Sequence, residues 1–348
     1  MTNVEFLIVG NGLAGTLLAF EMLDQKLDFR ILASPEKSRA SLVAAGMFNP
    51  LVFKRMTKSW MADELLPVMN KRYHELEDKL NERFFFQKDI LKPLSEQEML
   101  LWNERSVDPE FSRYIRSVEV ERQFSEIKNA PGFGVVIQSG YLKMTTFFSS
   151  ADRFFRQKDK IIDATFTFEK FNPESGSWQF GEWNFNKIIF CEGYHLTGNP
   201  FFGFIPLRPV KGEVLQVYIP KLTEEFILNK KVFVLPVGNH RFKSGSTYEW
   251  EDLTEHITQK GKKSVVKRLE ELISVDYEIE NHWAGIRPAV IDRRPVLGFH
   301  HTHKNIAVFN GLGTKGVMLA PWFAQEMVRL LTIKNYALSK EVRIERFL

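Results

Sequence analysis

The feature that most constrains this chain stands at its start, in IVGNGLAGTLLAFEM. An apolar run over residues 4–10 breaks into glycine, and apolar side chains then recur at helical spacing over 13–23. Strand, glycine turn and helix in that order give the pattern G-x-G-x-x-G physical meaning. Gly10 permits the tight turn, Gly12 lets backbone approach a pyrophosphate, and Gly15 lets helix and strand pack closely, with Asn11, Leu13 and Ala14 completing the loop. Free N–H groups at the helix start would hold the phosphate. DFRIL at 28–32 reads as a second strand parallel to the first, so the unit is βαβ. The plainer reading is a glycine turn in an unrelated α/β protein.

Such units carry an acid about 20 residues on, at the end of the second strand, to bind the adenosine ribose hydroxyls. Here that place falls on Ala33 or Ser34. Ser34 offers one weaker hydrogen bond; Glu36 would have to fold back from its loop, and a solvated charge is its simpler role. A dinucleotide is therefore expected to be held mostly by its pyrophosphate and by later segments.

At 348 residues the chain exceeds what one core usually holds, so two domains are expected. Trp60 to about Glu82 reads as a long helix, and Phe84 to Ser139 as mixed short strands and charged loops outside the first domain. TTFFSSADRFFRQ (145–157) reads as helix and NKIIFCEG (186–193) as a buried strand closing on glycine, a return to the first domain. Residues 207–250 alternate as in an antiparallel sheet, ahead of the charged helix KKSVVKRLEELI; NIAVFNGLG (305–313) is strand into glycine loop, and VMLAPWFAQEMVRLLT (317–332) an amphipathic helix. The expected fold is α/β: a Rossmann-like domain on a parallel sheet (1–55, 140–205 and 283–348), interleaved with a substrate domain on an antiparallel sheet (56–139 and 206–282).

Composition excludes little. No stretch reaches the ~18 apolar residues of a membrane span, and no basic leader precedes the first strand, which leads us to expect a cytoplasmic protein. The lone Cys191 allows no internal disulfide and no cysteine-built metal cluster. The net charge of +4, from 47 basic and 43 acidic residues mixed along the chain, implies no strong field for nucleic acid.

A chain that leaves and re-enters its first domain favours a flavin over a nicotinamide cofactor, and further pieces sharpen this. IVGNGLAG, SLVAAGMFNP (41–50), FCEG (190–193), IPLRPVKGEVL (205–215), FVLPV with SGSTYE (233–249), WAGIRPAVIDRRPVLG (283–298) and FNGLGTKGVMLAP (309–321) stand in one order along nearly the whole chain. Together they resemble the D-amino-acid oxidase, glycine oxidase and sarcosine oxidase superfamily of FAD-dependent oxidoreductases. NGLGTKGVMLAP with SGSTYE also resembles the FAD domain of the bifunctional enzyme that matures 5-methylaminomethyl-2-thiouridine in tRNA.

The resemblance implies that Ala44, Ala45, Gly46 and Met47 pass close to the flavin ring, and that Gly193 and Gly285 end or flank strands against the cofactor. It implies that the loop through Gly313, Thr314, Lys315 and Gly316 wraps the pyrimidine edge with N–H donors, where partial positive charge stabilises the reduced ring. Lys315 could add a full charge there or be a solvated lysine. Arg287, in WAGIRPA, matches an arginine that grips a substrate carboxylate through two parallel hydrogen bonds; the alternative is a structural ion pair, perhaps with Asp292. Tyr248 is a second pocket candidate, through its hydroxyl or ring.

The implied chemistry is oxidation of the C–N bond of a small amino acid or N-substituted glycine by hydride transfer to flavin N5, with oxygen or another acceptor closing the cycle. It needs no protein base, and none is named. Members that bond their flavin use a cysteine beside the late loop or a histidine near the early one; this chain has neither there, so FAD is expected to be non-covalent. His300, His301 and His303 read as a solvated loop, with no metal expected. Two alternatives differ in class: a tRNA-modifying flavoenzyme that removes a carboxymethyl group from a wobble uridine, using a basic apron of Lys54, Arg55, Lys58, Arg293 and Arg294, and a flavin-binding protein without turnover.

Overall fold

The computed structural model describes residues 1–120, 124–168, 171–172 and 177–348. In chain order its principal elements are β1 (Thr2–Val9), α1 (Leu13–Asp24), β2 (Phe29–Ala33), α2 (Ala62–Leu80), β3 (Ile90–Leu94), α3 (Glu96–Val107), β4 (Ile115–Glu119), β5 (Gly132–Val136), α4 (Met144–Gln157), β6 (Ile161–Asp163) and β7 (Trp183–Phe190). There follow β8 (Val210–Tyr218), β9 (Ile227–Asn229), β10 (Phe233–Gly238), β11 (Arg241–Gly245), α5 (Gln259–Glu270), β12 (Glu278–Arg287), β13 (Val296–Phe299), β14 (Ile306–Asn310) and α6 (Gly316–Thr332).

Five strands form a parallel sheet in the order β6-β2-β1-β7-β14, and β13 adds an antiparallel edge. Parallel strands are covered on both faces, so β1 is apolar without a break from Phe6 to Val9: Phe6 and Ile8 join the core that holds α1, α4 and α6, while Leu7 and Val9 join a second core with Trp178, Phe202 and Ile205. The sheet draws its strands from both chain ends and the middle, which is the α/β architecture with re-entry that the sequence implied.

The second sheet runs β12-β8-β11-β10-β9-β3-β5-β4. All its pairings are antiparallel except β9 with β3. Strand β12 runs through position 283 and pairs with β8 along its length, carrying Gly285 and Arg287 on this sheet. A small ladder of Met47–Phe48, Gly140–Leu142 and Phe85–Gln87 links the regions of the two large sheets.

The sequence reading of 84–139 as strands and loops missed α3. Its start carries a reciprocal cap: Ser95 Oγ accepts the Glu98 N–H at 3.3 Å, and the Glu98 carboxylate accepts the Ser95 N–H at 2.9 Å. The helix is mostly polar and buries a single side chain, Trp102, packed over Gly134, which is why apolar periodicity did not reveal it. Helix α5 begins three residues before KKSVVKRLEELI, where the Thr258 hydroxyl accepts the Gly261 N–H. No described helix is long and apolar enough to cross a membrane.

Candidate active site

The strand ends of the parallel sheet and the near edge of the second sheet enclose a cavity of about 510 Å³. Its floor is the first glycine loop. Gly10 has φ +107°, and a β-carbon there would stand 2.6 Å from the Cys191 carbonyl oxygen, so the turn needs glycine. Gly15 is not on the cavity wall. It lies beneath, where a β-carbon would meet the Gly10 oxygen at 1.9 Å; only glycine brings α1 this close to the loop. Gly12 faces the open side, its nearest neighbour for a β-carbon being Ser41 Oγ at 3.8 Å.

Asn11, Leu13 and Ala14 line the same floor, and Gly12 gives α1 no capping side chain. Sequence reasoning passed over two residues here. The Leu13 N–H reaches Ser41 Oγ at 3.3 Å, and Arg39, paired with Asp152 at 3.1 Å, extends Nη1 to within 3.5 Å of the Asn11 oxygen. Arg39 ends the loop after β2 and Ser41 sits in the single helical turn Ala40–Val43 that follows, too short for a period to mark it. Helix dipole, backbone donors and a guanidinium together suit an anionic group such as a pyrophosphate.

At the end of β2, Ser34 lines the cavity and Ala33 does not, as strand alternation requires. The Ser34 hydroxyl is already shared with Thr165 Oγ1 at 2.8 Å. Glu36 is exposed and off the wall. The place where an acid was sought is therefore filled by none of the three.

Toward the other end, Ala44, Ala45, Gly46 and Met47 line one wall. Gly46 has φ +73°, and a β-carbon would stand 2.0 Å from the Leu142 oxygen. Behind this turn Lys243 of β11, another residue the sequence gave no reason to choose, points Nζ at the Ala44 oxygen at 3.5 Å. Burial pushes its pKa below the usual lysine range. Gly193 follows β7, with its oxygen accepting from Asn310 Nδ2 at 2.9 Å. Gly313, Thr314, Lys315 and Gly316 form a tight turn into α6, whose first residue abuts Leu13 of α1, so two helix starts converge on the cavity. Lys315 Nζ donates to the Asn49 oxygen at 2.8 Å; desolvation brings its pKa down to about 8.

Arg287, at the end of β12, faces the cavity with Gly285 and Tyr248. Its guanidinium carbon stands 4.8 Å from the Tyr248 ring centroid; Nη2 donates to Ser246 Oγ at 2.5 Å and Nη1 to the Thr247 oxygen at 3.3 Å. Among the described residues no carboxylate pairs with it: Asp292, the partner considered from sequence, binds Arg346 at 2.8 Å instead. Burial lowers its pKa. A crowded cation held by neutral acceptors and a ring is prepared to receive a carboxylate from outside. Tyr248 itself is 54% exposed at the mouth, stacked with Trp250 at 6.2 Å.

The remaining candidates fall elsewhere. Lys54, Arg55, Lys58, Arg293 and Arg294 do not line the cavity; Lys58 is paired with Asp63 at 2.7 Å, and Arg294 lies 4.3 Å from the Trp60 ring. His300 is buried, and its Nδ1 accepts the N–H groups of Thr302 and His303 at 3.3 Å, a turn-making role among phenylalanine rings. Cys191 is buried at the cavity edge, its pKa raised by burial and by Glu192.

The chain is similar to known proteins. The family model described as FAD dependent oxidoreductase (DAO) matches residues 5–330. The bifunctional protein ThiO/ThiG of Synechocystis is 26% identical over 356 residues, covering 92% of this chain and 50% of that protein, so the chain spans about half of that relative's length. Glycine oxidase of Bacillus subtilis is 30% identical over 145 residues, 39% of this chain and 38% of that enzyme. The crystal structure of glycine oxidase from Geobacillus kaustophilus superposes with a TM-score of 0.79 at 19% identity, covering 97% of both chains. Iminodiacetate oxidase from Chelativorans gives 0.77 at 16% identity, covering 97% and 98%. At these identities the structural likeness establishes the fold.

Proposed function

The chain belongs to the family of FAD-dependent oxidoreductases, and from that premise we propose that it oxidises the C–N bond of a small amino acid or N-substituted glycine, with Arg287 as the group that selects the substrate. The cavity suits FAD on its own terms: a glycine floor that β-carbons would fill, two converging helix starts for the pyrophosphate and ring edge, and a desolvated lysine. When bound, FAD supplies the hydride acceptor. In this reading Gly10, Asn11, Gly12, Leu13 and Ala14 hold the phosphates, with Gly15 packed below. Ala45, Gly46, Met47, Gly193, Gly285 and Gly313 to Gly316 border the ring and its chain. FAD is held non-covalently in this reading, which the buried Cys191 thiol, its pKa raised by burial, supports.

The chain's own part in the reaction is orientation. Arg287 has two Nη groups on a rigid fork, and a carboxylate received there fixes which C–H bond faces the cofactor. Ser246 and Thr247 keep the fork in place, and Tyr248 stacks on it. Lys315 places positive charge on the cavity wall beside Asn49. Segments 1–55, 140–205 and 283–348 would serve the cofactor, except that the end of β12 brings Arg287 to the substrate side, which 56–139 and 206–282 otherwise form. The single observation that carries the proposal is the uncompensated Arg287.

The test follows bleaching of the flavin band with glycine, sarcosine, D-amino acids and amines lacking a carboxylate. A charged bidentate contact is worth about 2–5 kcal/mol. Arg287→Ala should therefore lower kcat/KM for carboxylate substrates by roughly 30-fold to several thousand-fold, with flavin content unchanged. Amines without a carboxylate as best substrates, indifferent to the substitution, would sink the proposal.

A further inference from the structure

The end of β2 offers no carboxylate to a ribose, yet the cavity wall carries one from another strand. We infer that Glu192, two residues past β7, binds the adenosine ribose hydroxyls of FAD in place of the missing β2 acid; this rests on the FAD reading above.

Three observations support the assignment. Among the described residues that line the cavity, Glu192 is the only carboxylate. It lies at the same end of the sheet as the glycine loop: β7 pairs with β1 on the side opposite β2, Val9 aligned with Phe190, and the Cys191 N–H donates to the Val9 oxygen at 2.8 Å. Glu192 thus stands level with the Gly10 turn, at the strand ends where this architecture puts its ligands. Its side chain, finally, is fixed. Oε1 accepts from Lys37 Nζ at 3.0 Å, and Oε2 accepts from Asn199 Nδ2 at 2.9 Å. Asn199 is itself locked, its Oδ1 accepting the N–H groups of Phe201 and Phe202 at 2.9 and 3.3 Å.

A carboxylate has about four acceptor positions, and these contacts occupy one on each oxygen. Each oxygen keeps another, so two adjacent hydroxyls can donate side by side, the two-point recognition that a β2 acid provides in related units. Lys37 comes from the loop after β2 itself. The chain retains that loop as an approach to the ribose, but uses it to bring a cation that supports a carboxylate borrowed from β7.

The experiment compares FAD with analogues whose adenosine lacks the 2′- or the 3′-hydroxyl, measured as dissociation constants by flavin fluorescence on dilution of the loaded protein and of its Glu192→Gln variant. The parent should bind at least one deoxy analogue roughly 10- to 100-fold more weakly than FAD. Glu192→Gln should weaken FAD by a similar factor while binding that analogue as the parent does. Equal binding of FAD and both analogues by the parent overturns the inference, as does a variant that loses FAD and analogues by one common factor. If Glu192→Gln folds poorly, Glu192→Asp, which keeps a charge opposite Lys37, is read by the same comparison. A colourless parent would mark failure of the FAD reading; a yellow parent blind to the hydroxyls would mark failure of this one alone.

Discussion

Gly212 lies so close under Arg287 that a β-carbon built on it would stand 2.0 Å from Nη2. The strand β8 thereby leaves a notch in which the guanidinium rests, flanked by Ser246 and Thr247 of the facing loop. Because the clash is with the far end of a flexible side chain, Gly212→Ala should fold normally and displace the fork. We expect KM for carboxylate substrates to rise about tenfold or more, with the melting temperature changed little. A variant with unchanged KM would show that the fork's position does not matter.

Gly12 and Gly15 should separate cofactor binding from folding. A side chain at Gly12 enters open cavity, at φ −73° and ψ −169°, which a β-branched residue adopts readily. Gly12→Val should thus keep its circular dichroism and purify colourless. Gly15→Ala pushes a methyl into the Gly10 oxygen and should cost about 1–3 kcal/mol of stability, seen as a lowered denaturant midpoint. A yellow Gly12→Val protein would contradict the placement of the phosphate cradle.

Lys315 gives a pH dependence with a definite sign. Burial holds its pKa near 8 against an ordinary 10.5, so in the flavin-free protein its protonation opposes folding. That penalty is fully present below pH 8 and is relieved as pH rises toward 10.5. Lys315→Met should stabilise the flavin-free protein at pH 7 by roughly 1–2 kcal/mol after loss of the Asn49 contact, seen as a raised melting temperature, and the gain should fade between pH 8 and 10.5. With FAD loaded, the gain at pH 7 should shrink or reverse. A pH-independent gain would mean that the amine's charge is not what burial opposes.

Acid precipitation should leave a yellow supernatant. The Cys191 thiol is buried and its pKa raised, which keeps it a poor nucleophile, and it sits at the Gly10 end of the cavity. Pigment that stays with the precipitated polypeptide would identify a bond to the protein.

What could be read from the sequence was whatever is local. The floor loop, Gly46 and the turn at 313–316 each carry their geometry in adjacent glycines, and each lines or supports the cavity. Helix α3 was legible too, since S-E-Q-E at 95–98 is a capping box, but its polar faces concealed it. Partners across the chain were not legible. Asp292 looks like the obvious mate of Arg287 five residues away, yet it turns to Arg346 near the end of the chain. Glu192 meets Lys37 across 155 positions, and no period or motif encodes such a meeting. That no acid stands at Ala33 or Ser34 was legible at once; that Ser34 faces the cavity, and Ala33 does not, depends on the register of the strand.

The pairing of β1 with β7 has a consequence for biosynthesis. Asn3 faces Asn184 across 181 positions, and the glycine loop leans on the Cys191 backbone just beyond. During synthesis this loop appears well ahead of the strand against which it turns, which follows about 180 residues later, and β14 with α6 come later still. Contacts of such separation pay a large loop-closure entropy before they return any stabilisation. The early apolar strand must therefore wait unpaired, a target for chaperones and for aggregation, and flavin can be captured only after α6 has emerged.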